Sequence, residues 1–228
     1  MIISGFDKLT LTNYPGVVAC TIFTNGCNYK CPFCQNGTLA LGVDKNRVPE
    51  EEVLDFLVKR RKMIDGICIS GGEPTLQKDL KDFIKKVKEI GVLVKLDTNG
   101  SNPKVVKDLL DENLLDYIAM DIKLPFSRYD KIAGIKVNTD NLKESIDLIK
   151  NSKVEHEFRT TIIKEFHSMK DIEEIISYVG DSNYYIQNFV DSDYVLQAGL
   201  HGFTDEELGE LDKKLKEKYS NAHVRGLK

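Results

Sequence analysis

Six apolar runs rich in β-branched residues alternate with six amphipathic stretches, and this alternation limits the folds open to the chain. The runs span residues 17–23, 66–70, 92–96, 117–120, 154–163 and 184–190, and residues 1–16 ahead of them read as a short strand or hairpin entry closed by Tyr14-Pro15-Gly16. The first run lacks a clean in-and-out alternation, as expected for a strand covered on both faces. Strand, loop and helix in regular succession imply a parallel sheet with right-handed crossovers.

The helical stretches carry start and stop signals. Pro49 precedes three glutamates, and Lys59, Arg60, Arg61 and Lys62 close that segment, so both charge clusters complement the helix dipole. Leu80, Phe83, Ile84, Val87 and Ile90 form one apolar stripe that stops at Gly91. Asn102-Pro103 can cap a third helix with Val106, Leu109 and Leu110 inward. A fourth begins at Thr139 or Asp140, with Leu142, Ile146 and Ile149 on one face. Ser168 with Asp171, and Thr204 with Glu207, resemble capping boxes for the last two.

A closed eight-unit barrel takes roughly 250 residues. Six units in 228 residues therefore predict an α/β fold of the open, partial (β/α)6 TIM-like barrel kind. A flat doubly wound sheet shares the alternation, but its G-x-G-x-x-G fingerprint is absent. No repeat, low-complexity tract or linker divides the sequence, so residues 1–228 are expected to form a single domain. The tail, His223-Val224-Arg225, suggests no role.

Lys and Arg number 32 against 36 Asp and Glu, a net charge of −4. That balance argues against a dedicated nucleic-acid binder. No apolar run approaches the roughly 18 residues of a membrane span. The N-terminus lacks a signal-peptide pattern. Five cysteines, an odd number with three close together, suit a reducing, cytoplasmic setting better than a disulfide framework.

Polar motifs follow the strands, at the rim where barrel-type folds place chemistry. After the first strand comes Gly-Cys-Asn-Tyr-Lys-Cys-Pro-Phe-Cys-Gln-Asn-Gly, residues 26–37. Cys27, Cys31 and Cys34 stand in C-x3-C-x2-C spacing, suited to a soft metal or a metal cluster. A structural zinc ion is the competing use, but it normally takes four ligands, often in separated pairs. Ser70-Gly71-Gly72-Glu73-Pro74 follows the second strand and reads either as a turn opening a helix or as backbone made to approach a ligand. Asp97-Thr98-Asn99-Gly100 contains an ordinary Asn-Gly turn, and Asp121-x-Lys123 forms a plausible rim ion pair. Arg159 has Glu155 and Glu157 as strand neighbours. His156, His167, His201 and His223 show no ligand spacing and are read as non-catalytic.

Together these motifs resemble the radical S-adenosylmethionine (radical SAM) superfamily, on the cysteine triplet with Phe33 before its last member. Within it the chain is similar to the glycyl-radical activating enzymes, namely those of anaerobic ribonucleoside-triphosphate reductase and pyruvate formate-lyase. The further carriers are Tyr14-Pro15-Gly16, Cys34-Gln35-Asn36, Asp121-Ile122-Lys123-Leu124-Pro125, Phe158-Arg159-Thr160-Thr161 and Tyr185-Ile186-Gln187-Asn188-Phe189.

The resemblance implies that Cys27, Cys31 and Cys34 hold a [4Fe-4S] cluster whose fourth iron chelates S-adenosylmethionine. One electron would then release a 5′-deoxyadenosyl radical. It implies SAM contacts from Phe33, Gln35, Ser70, Gly71, Gly72, Glu73, Asn99, Lys123, Arg159 and Gln187. It places a monovalent cation on Asp97, Thr98, the Ala119 carbonyl and Asp121. The implied partners are a large glycyl-radical enzyme as protein substrate and reduced flavodoxin or ferredoxin as electron donor. Two departures stand out. Val17-Val18 replaces an arginine common after Pro-Gly, and Gln187-Asn188 falls where relatives use a histidine. Cys20 and Cys68 cannot supply further clusters. Two other readings compete, a radical SAM enzyme acting on a small heterocycle in the manner of 7-carboxy-7-deazaguanine synthase, and a non-catalytic metal-binding module.

Overall fold

The computed structural model describes residues 1–227. Strand β1 (Ile3–Thr10) pairs antiparallel with β2 (Ala19–Thr24). From β2 onward the sheet is parallel, through β3 (Gly66–Gly71), β4 (Leu93–Thr98), β5 (Tyr117–Asp121), β6 (Glu155–Ile162), β7 (Tyr184–Asn188) and β8 (Ala222–Arg225). Spatial order follows sequence order from β1 to β8, and the two ends do not pair with each other. The sheet is thus the wall of an open, partial barrel.

The short helix α1 (Gly37–Ala40) lies in the cysteine loop, between β2 and the crossover helix α2 (Glu50–Arg60). The later crossovers carry α3 (Leu80–Ile90), α4 (Pro103–Asp111), α5 (Tyr129–Ala133), α6 (Thr139–Lys150), α7 (Met169–Val179) and α8 (Asp205–Lys216).

Side chains alternate across each strand, and the two faces differ in chemistry. Ile67, Ile69, Val94, Leu96, Ile118, Met120, Phe158 and Ile186 pack into the large core beneath the helices. Their inward-facing neighbours include Cys68, Lys95, Tyr117 and Glu157, all buried. Only Tyr14, Ala19, Tyr117 and Ala119 make a small apolar cluster on this inner face. The rest of the inner face carries polar and charged groups that lead up to the strand ends.

The expected six strands are all present, and the sheet has two more. β1, within the expected entry segment, adds an antiparallel edge. β8 is the tail segment for which the sequence suggested no role, four residues too polar to stand out as an apolar run. Asn102 does not cap α4 through its side chain; its amide instead donates to the Thr75 carbonyl at 3.1 Å. The capping boxes at Ser168 and Thr204 both form. Among the described residues no helix is long and apolar enough to cross a membrane.

Candidate active site

A cleft of about 230 Å³ opens at the C-terminal ends of the parallel strands. It is lined by sixteen of the residues singled out in the sequence, Cys27, Cys31, Cys34, Phe33, Gln35, Ser70, Gly71, Gly72, Glu73, Asp97, Thr98, Asn99, Asp121, Lys123, Arg159 and Gln187; Ala119, whose carbonyl was expected at a cation, is not among its lining and packs with Tyr14, Ala19 and Tyr117. Parallel pairing explains the convergence, because each motif ends a strand whose neighbour ends another. Tyr29, Asn36, Ala40 and Thr161 also line it. The sequence reading quoted Tyr29, Asn36 and Thr161 only within longer motifs and assigned them no role, and it did not mention Ala40.

The cysteine loop is anchored by backbone. Gly26 N donates to Leu39 O at 2.7 Å, Cys27 N to Ala40 O at 3.0 Å and Lys30 N to Ala133 O at 2.7 Å. The segment after β7 braces its outer side, with Gly37 N to Tyr194 O at 3.2 Å and Gln197 N to Pro32 O at 2.9 Å. Gln35 Nε2 donates to Val190 O at 2.9 Å. Two glycines after β3 allow the loops to nest. A Cβ on Gly72 would lie 2.1 Å from the Gly26 carbonyl oxygen, and one on Gly71, at φ +113°, would strike Thr24 backbone. These glycines therefore serve loop-against-loop packing.

The three thiols are free of disulfides. Burial pushes Cys27 up to about 11 and Cys31 up to about 12, and raises Cys34 as well. Such thiols ionise readily only beside a positive metal, the Lys123 ammonium being a lesser help. Cys27 Sγ already accepts Tyr29 N–H at 3.3 Å. The Tyr29 hydroxyl is buried and without a hydrogen-bond partner. Among the described residues no trio of His, Cys, Asp or Glu converges on one point as the ligands of a single ion would. Three free thiols line one cleft on one loop, with no fourth cysteine beside them among the described residues, and this donor set fits a [4Fe-4S] group with one iron left open.

Glu73 is tied into the protein as well as lining the cleft. It is 1 % exposed. Its oxygens accept from Thr75 N at 3.1 Å, Thr75 Oγ1 at 2.6 Å, Thr98 Oγ1 at 2.8 Å and Asn99 N at 2.7 Å. Three of these donors converge on Oε1, whereas Oε2 accepts only from Asn99 N and keeps acceptor capacity. Glu73 thus braces the β3 loop against the β4 loop while still lining the cleft. Desolvation raises its pKa, and the four hydrogen bonds oppose that rise.

Arg159 spans two strand ends. Its Nε donates to Asp121 Oδ1 at 2.9 Å, and Nη1 lies 3.4 Å from Asp97 Oδ2. The expected partner Glu157 is farther, at 3.9 Å, and Glu155 is not among its ion pairs. Burial opposes charge on Asp97, but Arg159 and then Lys95 outweigh it and hold the carboxyl below its usual range. Lys123 is likewise kept charged against burial, chiefly by Asp121. Its Nζ sits 5.6 Å from the centre of the Phe33 ring.

The residues expected to hold a monovalent cation do not fit one. Asp97 is engaged by Lys95, Ser70 and Arg159. Thr98 Oγ1 donates to Glu73 and accepts from Gly100 N at 3.1 Å. Asp121 faces Arg159 and, at 3.7 Å, Lys123. The sequence held the signal in Lys95: two residues before Asp97 on a strand, it must share its face. Of the histidines, His167 is structural, bridging the Lys123 carbonyl at 2.8 Å and Ile163 N at 3.1 Å.

The radical SAM superfamily pattern matches residues 21–179, from β2 through α7. The chain belongs to the radical SAM superfamily. It is therefore a radical SAM enzyme whose family works with a [4Fe-4S] cluster and S-adenosylmethionine. A Methanocaldococcus jannaschii protein with the provisional name glycyl-radical enzyme activating enzyme is 36% identical over 234 residues, which cover 98% of this chain and 95% of that one. The 7-carboxy-7-deazaguanine synthase of Thermoplasma acidophilum is 31% identical over 118 residues, 52% of this chain and 53% of that one. Among solved structures, Streptococcus suis SuiB bound to S-adenosylmethionine superposes with a TM-score of 0.71 at 16% identity, covering 92% of this chain and 52% of that one. This chain thus spans about half the length of that radical SAM protein, and the likeness is one of fold.

Proposed function

We propose that this radical SAM enzyme abstracts a hydrogen atom from the Cα of a glycine in a large partner enzyme, leaving a stored glycyl radical. The observation that carries this reading is end-to-end likeness, 98% of this chain against 95% of the M. jannaschii protein named as an activating enzyme. The synthase likeness covers about half of each chain, which supports a shared core rather than a shared substrate.

When bound, a [4Fe-4S] cluster would provide the one-electron chemistry needed for reductive cleavage of SAM. The chain's own residues would bind and orient. Cys27, Cys31 and Cys34 would hold three irons, and Lys123 and Arg159 would meet the carboxylate of SAM by charge-assisted hydrogen bonds. Phe33 and Gln187 would border the nucleoside. The cleft is sunk behind the β2 and β7 loops, which limits the access of water to a reactive radical. Reduced flavodoxin or ferredoxin would supply the electron. The partner's glycine would reach the cleft as an extended loop.

The test is electron paramagnetic resonance on anaerobically reconstituted enzyme with SAM, dithionite and each glycyl-radical enzyme of the same genome. A doublet with one partner supports the reading and names the substrate. No doublet with any, alongside turnover of a small heterocycle, would replace it.

A further inference from the structure

We propose that the Lys95 ammonium is a built-in cation, standing where a monovalent metal ion is expected beside Asp97, so that this enzyme binds SAM independently of Na⁺ and K⁺. Lys95 is on β4, 1 % exposed, its amine paired with Asp97 Oδ1. It is fixed by its surroundings as well as by its charge. Cys68 Sγ lies 3.9 Å from the amine, and the Tyr117 ring centre 5.8 Å. β-Strand alternation puts residues i and i+2 on one face, so this pairing follows from sequence order and needs no loop to hold it.

The side-chain oxygens that an ion would need already face cations or donors of the chain itself. The second Asp97 oxygen accepts from Ser70 Oγ at 3.1 Å and faces Arg159 Nη1 at 3.4 Å. Asp121 Oδ1 accepts from Arg159 Nε at 2.9 Å, and its Oδ2 faces the Lys123 ammonium at 3.7 Å. Thr98 Oγ1 is spent on Glu73 and Gly100 N. Two carboxylates expected to grip one mobile cation thus already face three covalently attached ones. A further cation would meet like charge in a site where water screens poorly. A tethered ammonium also loses no translational freedom when SAM arrives. The cation beside Asp97 therefore belongs to the chain and does not come from the medium.

The experiment measures SAM affinity of the reconstituted enzyme by equilibrium dialysis in sodium, potassium or tetramethylammonium chloride at equal ionic strength. Tetramethylammonium is too large for a carboxylate-lined ion site. The wild type should show the same affinity, within twofold, in all three salts. Lys95→Met should bind SAM about tenfold more weakly in tetramethylammonium, and K⁺ or Na⁺ should restore most of the loss in a saturable way. Lys95→Arg should remain independent of the ion. Thallium(I) NMR gives a readout apart from SAM, with saturable binding to Lys95→Met and none to the wild type. A wild type that loses fivefold or more without Na⁺ or K⁺ would overturn the proposal. So would a Lys95→Met enzyme that matches the wild type in every salt, or one that no ion rescues. Should Lys95→Met fail to fold, the wild-type salt series and its thallium titration decide alone.

Discussion

Arg225, on the last strand, clasps Glu157 on β6 with both terminal guanidinium nitrogens, at 3.1 and 2.6 Å. Glu157 is 1 % exposed and also accepts the Tyr117 hydroxyl at 3.0 Å. It lies 3.9 Å from Arg159, which in turn holds Asp97 and Asp121 at the cleft. The Arg225 guanidinium stacks 3.7 Å from the centre of the Tyr185 ring. Planar, bidentate and stacked, this contact suits arginine and not lysine. It links the tail strand to the floor of the site.

Breaking one side of this pair should therefore cost more than removing both. Arg225→Met leaves a buried carboxylate with only the Tyr117 hydroxyl and the more distant Arg159 and should lower unfolding stability by about 3 kcal/mol. The double variant Glu157→Gln/Arg225→Met should be less destabilised than the two single losses summed. Urea denaturation of all four proteins measures the coupling. Additive losses would show that the pair is incidental.

Glu73 as a brace makes a different prediction. Glu73→Ala strands two hydroxyls and two backbone N–H groups, each worth about 1–3 kcal/mol if left unsatisfied. Glu73→Gln keeps the shape but brings donors where only acceptors are wanted. Both variants should melt earlier than the wild type, by thermal denaturation of the apoprotein. Unchanged melting with weakened SAM binding would make Glu73 a ligand and not a brace.

Gly72→Ala forces a methyl group onto the Gly26 carbonyl, at the first turn of the cysteine loop. Overpacking of this kind costs about 1–3 kcal/mol. Because the loop carries the thiols, the loss should appear in cluster assembly. Reconstituted wild type should hold about four irons per chain, and Gly72→Ala clearly fewer. Equal iron content would mean that the loops separate easily.

Burial of Cys20 sets a pH dependence in the alkaline range. Its thiol is pushed from 9.0 up to about 12, by desolvation. The folded state thus holds the proton more tightly than the unfolded chain does. The resulting stability is fully present below the unfolded value and is lost as pH rises from about 9 toward about 12. Between pH 9 and 10.5, apoprotein should lose about 1.5 kcal/mol more than Cys20→Ala does. Urea titrations at the two pH values check the difference.

How much of this was legible beforehand follows from what each feature depends on. The strand-end motifs at Cys27, Gly71, Asp97, Asp121 and Arg159 were legible because a parallel sheet brings consecutive strand ends together whatever its curvature. Partnerships across the sheet were not. Glu73 reads as a ligand alone until its loop folds back onto Thr98 and Asn99. Arg159 reads as a partner of Glu155 and Glu157 until β5 places Asp121 beside it. β8 was hidden because four partly polar residues carry no periodic signal, and its value lies in Arg225 reaching two strands back to Glu157.

The central claim is that this cleft takes a hydrogen atom from a glycine Cα. Its most direct test is isotope transfer, with a partner glycyl-radical enzyme grown on α-deuterated glycine, the reconstituted enzyme, SAM and dithionite. Mass spectrometry of the 5′-deoxyadenosine should show deuterium, in proportion to the glycyl doublet formed. Unlabelled 5′-deoxyadenosine in the presence of a full doublet, or no partner-dependent 5′-deoxyadenosine at all, would contradict the account.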